Sequence, residues 1–226
     1  MNSPEIIYED NHILAVNKPA GMLVQGDKSG DTCILDLVKR FLKERDGKPG
    51  NVFLGLPHRL DRPTSGVLVL AKTSKALSRL AASFRDRDVS KIYWAVVESR
   101  PENAEDELTD WLKKDGRTNT SRKVNSDTPG AKEARLRYRI LGASEPYWLV
   151  EVELLTGRHH QIRVQLSAMG CRIKGDLKYG AKMLNRGEGI YLHARYLETS
   201  HPTRDERLKL TAPPPVDALW KAIIPE

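Results

Sequence analysis

Ala134-Arg-Leu-Arg-Tyr-Arg-Ile-Leu-Gly-Ala-Ser-Glu-Pro-Tyr147-Trp-Leu-Val-Glu-Val-Glu-Leu-Leu155 is the stretch from which the fold class is read. Leu136, Tyr138 and Ile140 alternate with Arg135, Arg137 and Arg139; Val150, Val152 and Leu154 then alternate with Glu151 and Glu153. A period of two is the mark of half-buried antiparallel strands, and the turn residues Gly142 to Pro146 between the two runs join them as neighbours. Upstream, His12–Asn17, Val67–Ala71 and Lys91–Val97 read as further strands. The first of these is stopped by the turn Lys18-Pro19-Ala20-Gly21. Ile34, Leu35, Leu37, Val38, Phe41 and Leu42 fall at helical spacing after a cap at Asp31 or Thr32, with Gly47 closing the helix. Ala76, Leu77, Leu80, Ala81 and Phe84 mark a second helix, from Ser74 to about Arg87. Downstream, Gln161–Met169 reads as a helix ended by Gly170, although Ile162, Val164 and Leu166 also alternate and leave a strand open. Strands at Tyr191–Leu197 and Leu208–Leu210 follow, and Pro213-Pro214-Pro215 introduces a short terminal helix through Trp220. Alternating strands with hairpin-length turns and interspersed helices predict an α+β fold around a largely antiparallel mixed sheet, rather than a doubly wound parallel one. A single domain over residues 1–226 is expected.

Composition narrows the function. With 39% hydrophobic and 30% charged residues the chain carries too much apolar content for a disordered segment, and no apolar run approaches a membrane span. The N-terminus Met1-Asn-Ser-Pro-Glu-Ile-Ile-Tyr-Glu-Asp10 lacks the basic head and apolar stretch of a signal peptide, so a cytoplasmic location is expected. Cys33 and Cys171 stand apart from any metal-ligand spacing, and neither a disulfide framework nor a metal site is expected. The 37 basic residues exceed the 30 acidic ones, a formal net charge of +7, which suits a polyanionic partner. Acids collect in residues 101–107, bases in 113–123, 132–139 and 158–178, a patchy distribution of the kind that steers a polyanion.

Several catalytic signatures fail on inspection. In Gly21-Met-Leu-Val-Gln-Gly26-Asp27-Lys28-Ser29 the carboxylate of Asp27 interrupts a phosphate loop. His58, Asp61 and Ser65 lie within eight residues of one loop, too close to assemble a hydrolase triad. The zinc-deaminase pattern is absent. What remains is Leu56-Pro-His-Arg-Leu-Asp61-Arg62-Pro-Thr-Ser-Gly66, an acid flanked by two arginines on a Pro-Gly loop before the apolar run Val67-Leu-Val-Leu70. These residues alone fit either a surface turn capped by Asp61 or a catalytic carboxylate. Chemistry needs a partner, which Leu155-Thr-Gly-Arg158-His-His-Gln-Ile-Arg163 offers: Arg163 beside Asp61 would keep the carboxylate ionised against desolvation.

Taken together, His58-Arg-Leu-Asp61 with Thr64-Ser-Gly66, Lys91-Ile-Tyr93 with Ala95-Val-Val97, Thr156-Gly-Arg158 with His160-Gln-Ile-Arg-Val164, and Gly175-Asp176 with Tyr179-Gly180 resemble the RluA-type RNA pseudouridine synthases. The likeness runs from about Tyr8 to Leu210. His159 stands where these enzymes usually carry Thr or Ser, and Gln165 where His is common, departures that touch substrate detail rather than chemistry. The resemblance implies the pseudouridine synthase fold and the isomerisation of a uridine in RNA without cofactor or metal: the N-glycosidic bond breaks, the base rotates, and C5 joins C1′. It implies Asp61 as nucleophile, Arg163 as the cation holding it ionised, Tyr93 as the ring packed on the flipped uracil, and Arg59 as the residue filling the gap in the stack. Trp94, on the opposite face of the strand by period two, is the better candidate for core packing. Arg62, Lys91 and Arg158 are implied phosphate contacts. His58 and His160 are expected to orient loops. Since many members carry an S4-type RNA-binding domain and this chain begins at once with the catalytic strand, a short, monomeric member is expected. Such a member would act on a tRNA or rRNA stem-loop, without an obligatory protein partner and without a membrane. A non-catalytic RNA-binding or chaperone protein on the same scaffold is the alternative.

Overall fold

The computed structural model describes residues 3–185, 187 and 189–225. In chain order the elements are β1 (Ile6–Glu9), β2 (Ile13–Lys18), α1 (Ile34–Arg45), β3 (Ser65–Ala71), α2 (Ser74–Asp86), β4 (Val89–Val97), β5 (Glu105–Asp115), β6 (Thr120–Val124), β7 (Lys132–Ser144), β8 (Tyr147–Leu154), α3 (Gln161–Ala168), β9 (Leu192–Ser200), β10 (Arg207–Thr211) and α4 (Ala218–Ile223). A 3-10 turn at Leu177–Tyr179 follows α3. The fold is α+β and every strand pair with a defined register is antiparallel, as the alternation predicts. The chain divides into two compact units, Met1–Ser90 with Ala194–Pro214, and Lys91–His193 with Pro215–Glu226.

In the first unit the strand order is β1-β2-β3-β9-β10. Every residue of β3 is buried, as is nearly all of β2, and these apolar runs form the core with Ala76 and Leu80 of α2. α2 starts where Thr73 accepts from the Ala76 amide and stops at Arg87 in the left-handed region. α1 begins differently from expectation: its cap position is Cys33, with no side-chain cap. The reason is that Ile34 and Leu35 donate to the carbonyls of Leu23 and Val24 at 2.9 and 3.3 Å, so a backbone bridge satisfies donors that Asp31 or Thr32 would otherwise serve.

In the second unit the order is β4-β8-β7-β5-β6. β5 and β6 are elements the sequence reading did not place, because they are dominated by charge rather than by apolar alternation. Their charges are used across strands. Glu107 on β5 pairs with Arg135 at 2.6 Å and Arg137 at 2.9 Å on β7, and Arg139 pairs with Glu151 on β8 at 2.7 Å. The basic run 132–139, expected as part of a polyanion-steering patch, is therefore largely neutralised by the acidic segment and by β8. α3 is a helix, and the open strand alternative is excluded. Six consecutive residues, Gln161 to Leu166, are buried, so no single apolar stripe exists to display a clean period. Asp217 caps α4 on the amides of Leu219 and Trp220, both at 2.9 Å, and Trp220 packs with Tyr191 in the core. Cys33 and Cys171 are buried and unbridged.

Gly66 fixes the start of β3. Its φ is +115°, and a Cβ there would lie 2.2 Å from the carbonyl oxygen and 2.6 Å from the amide nitrogen of Ala194 on β9. Backbone cannot swing aside like a flexible side chain. Gly66→Ala is expected to destabilise the protein by about 3 kcal/mol or more in urea unfolding. A loss under about 1 kcal/mol would show that β9 yields freely.

Candidate active site

The loop before β3 is held from several sides. Gly55 exchanges backbone hydrogen bonds with Ala71 at 2.8 and 2.9 Å. His58 stacks on Phe84 at 4.6 Å, and its Nε2 accepts the Val69 amide at 2.9 Å, which places its proton on Nδ1. Thr64 donates its amide to the Asp61 carbonyl at 3.0 Å, closing a turn that presents Asp61 half-buried. The Arg62 carbonyl accepts from the Gly21 amide at 2.9 Å, while Arg62 Nε returns a bond to the Gly21 carbonyl at 2.9 Å and Nη1 pairs with Asp31 at 2.9 Å.

Beneath this loop lies a residue that the sequence reading treated only as part of a turn. Lys18, the last residue of β2 and the register partner of Gly66, is completely buried. Its Nζ donates to the carbonyls of Pro19 and Met22 at 2.8 Å each and of Arg62 at 3.1 Å. Three ammonium protons thus meet three carbonyls that have left regular structure. Burial pulls the Lys18 pKa down to about 7; the negative charge of Asp61 acts against that fall, and the positive charge of Arg62 adds to it.

In the second unit, Tyr93 lies on β4 opposite Val152 and is half-buried against the core. Trp94 is half-buried as well and packs against the core, with its indole nitrogen 3.3 Å from Glu151. Arg163, on the first turn of α3, is buried and bidentate: Nε and Nη2 meet the two Asp176 carboxylate oxygens at 2.7 and 2.8 Å. The guanidinium also lies 5.0 Å above the Tyr179 ring. Asp176 was quoted in the family resemblance without a role; its role here is to hold Arg163. Lys91 Nζ lies beside Gly157, and Arg158 Nε donates to the Glu133 carbonyl at 2.7 Å. Arg59 is exposed. His160 is buried in the left-handed region at φ 55° and caps α3, with desolvation first and neighbouring cations second pushing its pKa down to about 2. Gln165 donates to Asp110 at 2.9 Å. Among the described residues no His, Cys, Asp and Glu cluster could hold a metal ion, and no helix is long and apolar enough to cross a membrane.

Asp61 thus lies on a braced loop of the first unit, and Tyr93 and Arg163 on a strand and a helix of the second. Residues 12–168 match the model of the RNA pseudouridylate synthase family. The chain is 34% identical to the ribosomal large subunit pseudouridine synthase C of Vibrio parahaemolyticus, over 92% of this chain and 65% of that protein. It is also 34% identical to synthase D of Pseudomonas aeruginosa, over 96% and 70% respectively. Human RNA pseudouridylate synthase domain containing 4 superposes with a TM-score of 0.77 at 29% identity, covering 93% of this chain and 88% of that one. The chain belongs to the RNA pseudouridylate synthase family and has the fold of its structural relatives. It spans just under two thirds of the length of the Vibrio relatives.

The buried ammonium makes a pH prediction. With a folded pKa near 7 and an ordinary value of 10.5, Lys18 is protonated in both states below about pH 7, and its burial cost is constant there. Between the two values folding releases a proton, so this group's contribution to stability rises with pH. Lys18→Met is expected to remove that rise and, by orphaning three carbonyls, to destabilise the fold by about 3 kcal/mol or more near neutrality. Thermal melts of both proteins from pH 6 to 10 check it; parallel curves would show that Lys18 does not titrate in this window.

Proposed function

We propose that this protein isomerises uridine to pseudouridine within structured RNA. Asp61 is the nucleophile in this reading. The observation that carries it is a carboxylate presented on a turn whose neighbouring carbonyl is tied to a buried ammonium, inside a chain of this family. Such a loop keeps its anion in place without reorganisation, the requirement for carboxylate attack at a sugar carbon. In the proposed sequence the Asp61 oxygen bonds to C1′ as the C1′–N1 bond breaks, and the released uracil rotates. C5 then bonds to C1′ as the ester breaks; C5 loses its proton and N1 ends protonated, so the product is an isomer and no co-reactant is consumed.

Tyr93 gives the face on which the rotating base stacks, and Arg163 the positive charge that keeps the catalytic carboxylate ionised. Arg59 fills the space left by the extruded nucleotide. Arg62, Lys91 and Arg158 contact phosphates, with Arg62 and Arg158 already oriented by their backbone partners. Relatives named as ribosomal large subunit synthases favour an rRNA stem-loop over tRNA as substrate. In keeping with this reading, the protein acts as a cytoplasmic monomer without cofactor.

On the β5–β6 hairpin, Lys113 and Arg122 are register partners, two like charges directly opposed. Such a pair costs stability unless an anion lies against it, which makes the hairpin the natural contact for RNA phosphates.

Asp61→Asn keeps shape and removes the anion. It is expected to yield no pseudouridine from total RNA while binding RNA within about threefold of wild type. Activity within about tenfold of wild type would overturn the nucleophile, and a wild type that binds RNA but makes no pseudouridine would establish the non-catalytic alternative. Tyr93→Phe and Tyr93→Leu separate ring from hydroxyl. Stacking alone predicts near-normal turnover in Phe and a fall of at least about tenfold in Leu; a dead Phe variant would assign the hydroxyl to proton transfer.

A further inference from the structure

Tyr179, at the end of the 3-10 turn, ties several parts of the second unit together. Its oxygen lies 2.9 Å from the Ser121 amide nitrogen on β6 and 2.7 Å from Nδ1 of His160. The Ser121 amide donates to the tyrosine oxygen, and the same oxygen shares a hydrogen bond with His160 Nδ1, so one hydroxyl joins β6 to the residue that precedes α3. The face of the phenol lies 5.0 Å from the Arg163 guanidinium, which Asp176 grips from the side. Ser167 Oγ donates to the Tyr179 carbonyl at 2.8 Å, which ties the turn back to α3.

The hairpin that Ser121 belongs to has little apolar anchorage. Leu112, Ala134 and Val164 form a small cluster against which Tyr179 packs. Further links from the hairpin to α3 and the loop before it are polar: Gln165 to Asp110 at 2.9 Å, with Lys123 on the same carboxylate, and Ser121 Oγ to His159 Nδ1 at 2.9 Å. β5 is held on β7 from Glu105 to Leu112, but the basic tip, with Lys113 opposite Arg122, lies beyond that ladder and depends on these side-chain links.

We infer that Tyr179 is a positioning residue with two separable roles: its hydroxyl fixes the β5–β6 hairpin to the start of α3 so that Lys113 and Arg122 can hold RNA phosphates, and its ring fixes the plane of Arg163. The catalytic consequence rests on the isomerase reading above. The structural anchoring does not.

The test compares wild type, Tyr179→Phe and Tyr179→Leu on an RNA stem-loop taken from a mapped target. In Tyr179→Phe, KM is expected to rise about five- to tenfold with kcat within about twofold, and hydrogen exchange at the Ser121 amide to accelerate. Tyr179→Leu should add a fall in kcat of at least about tenfold. Unchanged KM and unchanged Ser121 exchange in the Phe variant would overturn the role of the hydroxyl, and equal kcat in Phe and Leu would overturn that of the ring. If the Leu variant does not fold, the Arg163 Nε–H resonance of the wild type decides the ring's role. An upfield ring-current shift supports it, and a resonance at the position of an unstacked arginine overturns it. If the wild type makes no pseudouridine, the isomerase reading fails separately, while stem-loop affinity and Ser121 exchange in Tyr179→Phe still decide the anchoring.

Discussion

Three carbonyls, of Pro19, Met22 and Arg62, converge on one buried ammonium, and the loop that carries Asp61 depends on that convergence. Neither segment could bury its backbone otherwise, because a carbonyl outside regular structure and away from water needs a donor. A lysine can serve all three at once, at the cost of desolvating its charge, and the depressed Lys18 pKa is the visible sign of that cost. The antiparallel register of β2 and β3 places Lys18 opposite Gly66, and the absence of a side chain at Gly66 lets β9 approach at Ala194. Sheet register, loop closure and the placement of Asp61 are consequences of one local arrangement.

The second unit solves the same problem with paired charges and a shared hydroxyl. α3 is buried nearly all round yet carries Gln161, Arg163 and Gln165 inward. Gln161 is matched with Thr156 at 2.8 Å and Arg163 with Asp176, while Gln165 donates to Asp110 and leaves its own side-chain carbonyl oxygen buried without a partner among the described residues. A buried arginine with a bidentate carboxylate has one orientation, whereas one in solvent has many. The arrangement is specific because removing either partner leaves the other charged and buried.

The legible part of this molecule was what repeats. Strands β7 and β8 and helix α2 follow from two-residue or three-to-four-residue periods, since burial on one face imposes such periods, while β2 and β3, buried on both faces, show as short apolar runs bounded by turn residues. β5 and β6 were missed because their charged side chains are stabilised by arginines and carboxylates on neighbouring strands, and a single strand's sequence does not show its neighbour. For the same reason the cap of α1 was misplaced: its donors go to Leu23 and Val24, backbone groups with no side-chain signature. Asp61, Tyr93 and Arg163 were named from motif resemblance. Lys18 and Tyr179 were quoted without a role of their own, because a lysine beside a proline and a tyrosine before a glycine look like ordinary turn residues. The one available signal was the apolar run that Lys18 ends, which places a charge where a strand is still buried.

Charge, finally, has to be counted after folding rather than before. The +7 of the whole chain suggests a broad basic surface, but the arginines of β7 are engaged by Glu107, Glu151 and Glu153. Lys123 is engaged by Asp110. Among the described residues Lys113 and Arg122 have no carboxylate within ion-pair distance, although they face each other across β5 and β6. An opposed pair of cations is an unfavourable choice for a strand interior, and its cost falls when a phosphate lies between them. Under the proposed function the attraction for RNA is therefore local, resting on the ribbon tied to α3 together with Arg62, Lys91 and Arg158, and not on the β7 arginines that composition alone marks out.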